Sequence, residues 1–482
     1  MRNKSTSSQK TGGFLSRLFR IKLLAGLWTG KLLLIITRLS GRGGTTLPGR
    51  IALKIEPELT SRLISLLPAG TIIITGTNGK TTTSSLTTGI LKEAGYRCIH
   101  NQSGSNLAWG VASSLVAGAG LSGRLKEDIA VMEVDEGALP GVTENVKPRG
   151  IAITNIFRDQ LDRYGETDHV LQKIKNGLEL QPQDGFEVIN ADDPSLTGIK
   201  PNNNKKRWLY GLELDLPEDT FENTGRDMKA CPLCKKELQY DKLFYAHLGH
   251  YSCQSCGYKR PQPDIRLVET RTEPDETTLL KIELPGETAE FKFPLPGTYN
   301  LYNLLAAVAT AKALDISTPL IAGALEKSVP SFGRMEHFEK NEKTIVMALI
   351  KNPVGANEVL RTVIKQSDRV NLLVAINDKI ADGTDVSWLW DVDFEQLAVE
   401  KDNLAGLYAS GLRAWDMAVR FKYAGFNPEL VTVEEDTEKA IRAALEVTPP
   451  GSRLFILPSY TAMLEIRRAL NRMGLGRPYW EE

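Results

Sequence analysis

Short apolar runs alternate with segments of helical period along most of the chain. Runs at 72–75, 129–133, 150–155, 187–190 and 208–210 predict buried strands, and the segment 82–94 predicts a helix between the first two of them. Strands that alternate with helices form parallel sheets, because a crossover is needed to return the chain to the same edge. The first half of the chain therefore predicts an α/β domain.

The alternation resumes after Phe332-Gly-Arg-Met-Glu336. Apolar runs at 344–349, 370–376, 406–409, 429–432 and 453–457 predict a second α/β sheet. In open sheets of this kind, ligands bind beyond the carboxyl ends of the strands. We predict an N-terminal segment at 1–48, a central domain at 49–332 with an insertion at about 228–260, and a C-terminal domain at 333–482.

The segment 14–38 is basic and amphipathic, with Arg17, Arg20, Lys22, Lys31 and Arg38 among leucine, isoleucine and tryptophan. Such a helix either lies on an anionic membrane surface or packs on its own domain, and the sequence leaves both interpretations open. Lysines interrupt its apolar run, and no cleavage site of a signal peptide follows, so we expect neither a membrane span nor a cleaved leader.

Composition narrows the class of protein. A chain of 482 residues exceeds one ordinary core, and 41% hydrophobic with 24% charged residues is typical of a soluble globular enzyme. Lys+Arg and Asp+Glu each total 59, so the charge balance gives no indication of a nucleic-acid partner. We expect a cytoplasmic enzyme, at the inner face of the plasma membrane if its N-terminal helix lies there.

The run Gly76-Thr-Asn-Gly-Lys-Thr81 joins the first predicted strand to its helix. Its glycines allow backbone N–H groups to point at one anion, Lys80 adds a charge for terminal phosphates, and the Thr81 hydroxyl is a ligand for Mg²⁺. The alternative is a glycine-rich turn without ligand. We predict nucleotide contacts from seven residues, namely Gly76, Thr77, Asn78, Gly79, Lys80, Thr81 and Thr82.

Acids follow a later strand in Val131-Met-Glu-Val-Asp-Glu-Gly137. Because Mg²⁺ prefers oxygen ligands, we predict that Glu133 binds it together with Thr81, with Asp135 and Glu136 nearby. Solvated surface acids are the alternative.

Cys231-Pro-Leu-Cys234 and Cys253-Gln-Ser-Cys256 are CxxC pairs 18 residues apart. Four thiolates at this spacing can enclose Zn²⁺, and with the hairpin-like segment 238–247 they predict a zinc ribbon. The alternative is a pair of disulfides, which an intracellular enzyme is not expected to keep. We expect a structural metal remote from the nucleotide, with no part for His247 and His250. Cys98 is predicted to be a strand residue rather than a nucleophile.

Several motifs resemble the Mur ligase superfamily: the short phosphate loop, Gly297-Thr-Tyr-Asn-Leu-Tyr-Asn303 and Gly333-Arg-Met-Glu336. Others resemble its MurT branch, the ligase subunits of lipid II isoglutaminyl synthases. These are Arg158-Asp-Gln-Leu-Asp-Arg-Tyr-Gly165, Lys351-Asn-Pro353 and the loop from Asn377 to Asp393, which carries Trp388 and Trp390. Gln160 replaces the metal-binding histidine of the wider superfamily.

The resemblance implies a fold: a Mur ligase-like P-loop ATPase domain with an inserted zinc ribbon of four cysteines, followed by a Rossmann-like α/β domain. It also implies that Asn300 and Asn303 contact adenine and that Arg334 reaches the phosphates. As an alternative, both asparagines cap the helix that begins there.

The activity that the resemblance implies is an amidation with ATP, Mg²⁺ and Zn²⁺ bound. ATP phosphorylates the α-carboxylate of D-Glu in the lipid II stem peptide, and ammonia displaces phosphate to leave D-isoglutamine. The runner-up is an amino-acid-adding Mur or folylpolyglutamate-type ligase, which Gln160 and Lys351 disfavour. A non-catalytic scaffold is a third hypothesis, and the phosphate loop argues against it.

The chain has no glutaminase nucleophile, so the resemblance implies a GatD-like glutamine amidotransferase partner that supplies ammonia. In this family the ligase subunit completes the partner's Cys–His pair with an acid. We rank Asp385 and Asp382 above Asp391 for that role.

Overall fold

The computed structural model describes residues 7–39, 46–101, 105–158, 167–201, 205–215, 228–273, 277–329, 333–364, 369–399 and 404–475, and side chains of the first helix from Arg20 onward. Its strands are β1 (Thr71–Thr75), β2 (Cys98–His100), β3 (Ile129–Glu133), β4 (Gly150–Ile153), β5 (Phe186–Asn190), β6 (Lys206–Leu212), β7 (Gln239–Tyr245), β8 (Leu248–Ser252), β9 (Ile265–Thr272), β10 (Thr278–Leu284), β11 (Glu287–Phe293), β12 (Glu336–Lys340), β13 (Lys343–Met347), β14 (Val370–Ala375), β15 (Leu404–Ser410), β16 (Val431–Glu434) and β17 (Arg453–Pro458).

The helices are α1 (Ser7–Leu39), α2 (Leu47–Ile55), α3 (Leu59–Ile64), α4 (Lys80–Glu93), α5 (Ala108–Gly118), α6 (Leu139–Val146), α7 (Thr167–Leu180), α8 (Pro194–Thr197), α9 (Thr298–Ala313), α10 (Thr318–Glu326), α11 (Pro353–Ile364), α12 (Phe394–Val399), α13 (Ala414–Tyr423), α14 (Thr437–Val447) and α15 (Tyr460–Arg472). Short 3₁₀ turns lie at Ser387–Asp391 and Pro428–Leu430.

The first sheet has the strand order β11-β10-β9-β6-β5-β4-β1-β3-β2. Strands from β9 to β2 pair in parallel, which confirms the predicted α/β class, and β10 and β11 extend the sheet antiparallel. Successive residues of β1 contact different cores, with Ile72 and Ile74 in one and Ile73 in the other. Burial on both faces explains why this strand is apolar throughout.

The second sheet has the order β12-β13-β17-β14-β15-β16, parallel except for β12. The run predicted at 429–432 is displaced to β16, because Pro428–Leu430 forms a 3₁₀ turn in which the Asn427 side chain accepts from the Glu429 N–H. The two sheets lie on either side of residue 333, where we propose the boundary between the domains.

Within the insertion, β7 and β8 form an antiparallel hairpin that turns at Ala246, where φ is +50°, and His247. The hairpin predicted within 238–247 therefore extends to Ser252. The sequence pattern missed the second strand, because the run Leu-Gly-His-Tyr-Ser of β8 resembles a loop more than a strand.

Helix α1 packs on its own domain through Gly26, Leu27 and Gly30, against α2 and α5. A Cβ atom at Gly30 would lie 3.0 Å from Val116 Cγ1, so glycine is what allows the close approach. The packing interpretation of this segment is confirmed, and a second apolar stripe of the helix stays exposed. Among the described residues, none of the helices has the length and hydropathy to cross a bilayer.

Candidate functional site

A glycine loop leaves the carboxyl end of β1 and enters α4. Gly76 and Gly79 have φ values of +124° and +85°, which side-chain-bearing residues rarely adopt. A Cβ at Gly76 would lie 2.3 Å from Thr154 Oγ1, and one at Gly79 would lie 2.0 Å from Asn303 Oδ1. Conformation and space therefore both require glycine at these positions.

The loop is fastened to the end of the neighbouring strand β4. The Asn78 N–H donates to Asn155 Oδ1 at 2.9 Å, and the Asn78 carbonyl accepts from Thr154 Oγ1 at 2.6 Å. The Thr77 N–H donates to the Asn155 carbonyl at 2.9 Å. These bonds fix the conformation of the loop, which we call the cradle. It lies at the N-terminus of α4, where backbone dipoles favour an anion.

Lys80 lies among acids from the end of β3. Its ammonium donates to Glu136 Oε2 at 2.9 Å, and the two side chains are 7% and 8% exposed. Burial lowers the pKa of Lys80, but attraction by Glu136, Asp135 and Glu133 outweighs it and raises the pKa to about 12. The ammonium is therefore charged at every physiological pH.

Thr81 and Glu133 meet as the sequence predicts for a magnesium pair. The Thr81 hydroxyl donates to Glu133 Oε2 at 2.7 Å. Burial raises the pKa of Glu133, and the positive charge of Lys80 opposes this rise. A hydroxyl and a carboxylate that lie together beside a phosphate cradle are suitable ligands for Mg²⁺, because this ion takes oxygen ligands and binds close to phosphate groups.

A cleft that is open to solvent lies beside the cradle, between the two sheets. Residues of the phosphate loop, α9, α11 and the 333–335 turn line it. Arg334 faces this space. Burial lowers the pKa of its guanidinium, whereas Tyr299, Glu133 and Tyr245 act in the opposite direction.

The predicted adenine residues behave differently from each other. Asn303 lines the cleft and lies against Gly79, whereas Asn300 is absent from the lining and donates to the Pro296 carbonyl at 2.7 Å. Asn303 Nδ2 donates to Asn300 Oδ1 at 3.3 Å. Neither side chain caps α9, whose N-cap is Gly297 without a side-chain bond. Asn300 orients Asn303, and Asn303 is placed to contact a ligand.

The C-terminal domain reaches the phosphate loop through Lys351 and Asn352, which follow β13. Asn352 Nδ2 donates to Asn78 Oδ1 at 3.0 Å, and Lys351 Nζ donates to the Thr77 carbonyl at 3.3 Å. The Lys-Asn-Pro motif resembles that of the MurT branch, but its letters alone do not indicate a contact with the phosphate loop. Only pairing across 274 positions of the chain identifies it as part of the site.

The insertion brings together its four cysteines, whose sulfurs lie within 4.8 Å of one another. The Cys231–Cys256 and Cys234–Cys253 sulfur separations are 3.6 and 3.5 Å. A disulfide is about 2.0 Å long, whereas four sulfurs at about 2.3 Å from one zinc ion lie about 3.8 Å apart. The cluster therefore fits a four-coordinate metal, and all cysteines of the cluster are free.

The end of the hairpin away from the cysteines reaches the cleft. Tyr245 of β7 lines the cleft beside Asn78, and His247 is buried against Phe157 with ring centroids 5.0 Å apart. His250 Nε2 lies 2.8 Å from the Leu212 carbonyl oxygen, a contact made with the central sheet. No feature of the sequence pointed to Tyr245, because the hairpin turn decides where it lies.

The acids proposed for a partner differ in accessibility. Asp382 is buried, and its oxygens accept from the Thr461 N–H at 2.7 Å and from the Thr461 hydroxyl. Asp385 accepts from the Ser387 N–H at 2.8 Å, and this bond lowers its pKa. Asp391 has a side chain 51% exposed and lies 3.6 Å from Arg158. Gln160 lies outside the described residues.

Cys98 lies in β2 as predicted. Burial raises the pKa of its thiol to about 11, so it is protonated and unreactive at neutral pH.

Comparison with known proteins agrees with this geometry. Residues 74–230 match the family model described as the Mur ligase middle domain, and residues 349–463 match that described as MurT ligase C-terminal. The MurT subunit of the glutamine-hydrolysing lipid II isoglutaminyl synthase of Streptococcus pneumoniae (strain ATCC BAA-255 / R6) is 34% identical over 93% of this chain and 97% of its own. That of Staphylococcus aureus (strain COL) is 34% identical over 90% and 95%.

Solved structures with the same fold include a pseudomurein peptide ligase type C from Methanothermus fervidus. Its TM-score is 0.63 at 25% identity, over 84% of this chain and 79% of its own. MurF from Acinetobacter baumannii has a TM-score of 0.62 at 17% identity, over 90% and 81%, which is a likeness of fold alone.

Proposed function

The chain belongs to the family of MurT subunits of lipid II isoglutaminyl synthase, and we propose that it amidates the α-carboxylate of D-Glu in the lipid II stem peptide. The observation that carries this proposal is a glycine cradle with Lys80 and the Thr81–Glu133 pair beside it, next to a cleft that Arg334 lines. A carboxylate is a poor electrophile, so amide formation from it requires activation with a good leaving group.

When bound, ATP supplies the phosphoryl group and Mg²⁺ neutralises its charge. We assign the phosphates to the N–H groups of the cradle and to Lys80, and the metal to Thr81 and Glu133. The carboxylate oxygen attacks phosphorus and ADP leaves. Ammonia then attacks the acyl carbon, phosphate leaves with the bonding electrons, and the proton that the nitrogen loses ends on the released phosphate. Arg334 and Lys80 stabilise the negative charge that develops, and the cleft holds the reactants in line.

The reaction is tested with the purified chain, lipid II, ATP and ammonium chloride. We expect phosphate release that depends on both lipid II and ammonia, together with conversion of the D-Glu carboxyl to an amide, read by mass spectrometry. Turnover with a free amino acid and none with ammonia would support instead an amino-acid-adding ligase.

We further propose that the four cysteines bind one zinc ion per chain. Sulfur separations of 3.5 and 3.6 Å support this, and since all four positions are protein thiols, no open position is left for substrate. Its role is therefore to hold the insertion together, and its metal content is one readout of the experiment in the next subsection.

Ammonia comes, we propose, from a GatD-like glutaminase subunit that docks on the C-terminal domain. Within the described residues, large apolar side chains around α13 are exposed: Trp390 by 53%, Leu412 by 58%, Trp415 by 64%, Tyr423 by 68% and Leu430 by 69%. Patches of this kind mark protein interaction sites. Asp391 adjoins this surface and is the most accessible of the three candidate acids, so we now rank it first, before Asp385 and the buried Asp382.

The exposed stripe of α1 supports a second surface, for the membrane that holds lipid II. The stripe consists of apolar residues that recur at intervals of one or two helical turns, namely Ile21, Trp28, Leu32, Ile35 and Leu39. These side chains and that of the neighbouring Ile36 are 51–84% exposed. Exposed basic residues, Arg20, Lys22 and Arg38, accompany the stripe. Apolar residues in line with cations fit an anionic lipid surface.

We expect the chain to bind vesicles that contain anionic phosphatidylglycerol more tightly than vesicles of phosphatidylcholine. Replacing both Leu32 and Ile35 by serine should weaken binding by at least about tenfold, because two apolar side chains are withheld from the lipid. Leu430→Ser, on another face, is the matched control. Equal binding of wild type and double variant in a sedimentation assay would exclude this surface.

A further inference from the structure

The ribbon hairpin, β7 and β8 with their turn, enters the central domain instead of projecting from it. Phe244, Tyr245 and Leu248 belong to the same core as β1 and α9. Near the turn, the Gly249 N–H donates to the Asp192 carbonyl at 3.0 Å. The end of the hairpin away from the cysteines is therefore part of the nucleotide-binding domain.

A buried ion pair fixes this end. Arg260, which follows the second CxxC pair, donates to Asp192 at 2.6 Å and to Glu213 at 2.7 Å. Tyr302 of α9 donates to the other Asp192 oxygen at 2.7 Å. Asp192 lies shortly after β5, so one buried carboxylate joins the ribbon to the sheet and to the helix that lines the cleft.

Tyr245 carries the contact from the hairpin to the cleft. It is 4% exposed, and it lines the cleft together with Asn78. Phe157 packs edge-on against its ring at a centroid distance of 5.1 Å. The ring is thus held in place at the wall of the cleft.

Asn78 lies where three parts of the chain meet. Its backbone is bound by Thr154 and Asn155 of the central sheet, its side chain is bound by Asn352 of the C-terminal domain, and Tyr245 of the ribbon lines the same cleft. A change in the position of Tyr245 therefore alters the cleft that the cradle residue Asn78 also lines.

We propose that the ribbon is part of the nucleotide site, in which Tyr245 forms one wall of the cleft, so that ATP affinity depends on this tyrosine and on the metal that orders its hairpin. Cys253 follows β8 directly, so metal binding fixes the far end of the strand pair that presents Tyr245. The inference rests on the proposed assignment of the cleft to ATP. It gives the insertion a role beyond stability.

The test measures binding of a non-hydrolysable ATP analogue with Mg²⁺ by calorimetry, without lipid II or ammonia, on the full chain. Tyr245→Ala should weaken binding by about tenfold or more, because it removes an aromatic wall of the cleft. Tyr245→Phe keeps the ring, so it should bind the analogue more tightly than Tyr245→Ala does. Tyr240→Phe, on the same strand but bonded to the Met228 carbonyl, should bind as wild type does.

Metal content is measured on every variant. All three tyrosine variants should keep one zinc per chain, while Cys253→Ser should lose metal and nucleotide affinity together, with the far-ultraviolet circular dichroism of the sheets retained. Tyr245→Ala that binds the analogue as tightly as wild type overturns the proposal, and so does a metal-free, folded Cys253→Ser that binds it normally. If wild type itself fails to bind the analogue, the assignment of the cleft to ATP is wrong.

Discussion

Lys80→Ala is expected to reduce ATP-dependent amidation by about 10²–10³-fold or more. The ammonium is the buried cation at the cradle, its pKa is raised to about 12, and no other lysine of the described phosphate loop replaces it. Loss of one preorganised charge or donor in a site shielded from water has effects of this size. The measurement is single-turnover phosphate release with saturating lipid II and ammonia.

Alanine at this position leaves Glu136 buried without its cation, which is destabilising by about 3–5 kcal/mol when one partner of a buried pair is removed. The double variant Lys80→Ala with Glu136→Gln removes that charge, so its inactivity cannot be attributed to unfolding. Lys92→Ala, an exposed position near the end of the same helix, is the matched control. Near-normal turnover of the double variant would exclude Lys80 from the chemistry.

Asp391→Asn is expected to abolish glutamine hydrolysis by the complex and to leave amidation with free ammonia unchanged. An acid that orients a histidine is worth up to about 10⁴-fold in a hydrolase triad when an amide replaces it. Free ammonia bypasses the glutaminase, so the second activity reports only on the ligase. Both rates are measured on the same preparation of the complex.

Two neighbouring acids serve as comparisons. Asp385→Asn alters a half-buried acid of the same loop and should preserve both activities. Asp382→Asn should lower the temperature of unfolding, because Asp382 fastens the loop to the N-terminus of α15 through Thr461. If Asp385→Asn loses glutamine hydrolysis and Asp391→Asn does not, the acid of the partner's triad is Asp385. If Asp391→Asn loses hydrolysis and ammonia-driven amidation equally, a role in that triad is refuted.

The sequence determined features that depend on local chemistry. β-Branched runs predict buried strands since their side chains fit a pleated surface that is covered on both faces, as in β1. Glycines at 76 and 79 are required by backbone conformation, so the loop could be identified from its letters. The cysteine spacing likewise predicts the cluster, because two CxxC turns already place each pair of thiols together.

Sequence pattern failed where a contact joins distant segments. Asn352 and Asn78 are 274 positions apart, and the buried Asp382 accepts from the Thr461 N–H, 79 positions away. Likewise, an amphipathic helix can lie on lipid or on protein, and only the glycines packed against α2 and α5 decide which stripe of α1 is covered.

The position of the ribbon shows the same limit most clearly. The spacing of its thiols determines that the insertion forms a four-cysteine cluster, and this feature depends only on local sequence. Whether the closed insertion projects into solvent or enters the core is decided by Asp192, Arg260 and the hydrophobic contacts of Phe244 and Leu248. Such packing depends on the shape and charge of surfaces that exist only after the sheet has formed, so the tertiary structure alone places Tyr245 in the cleft.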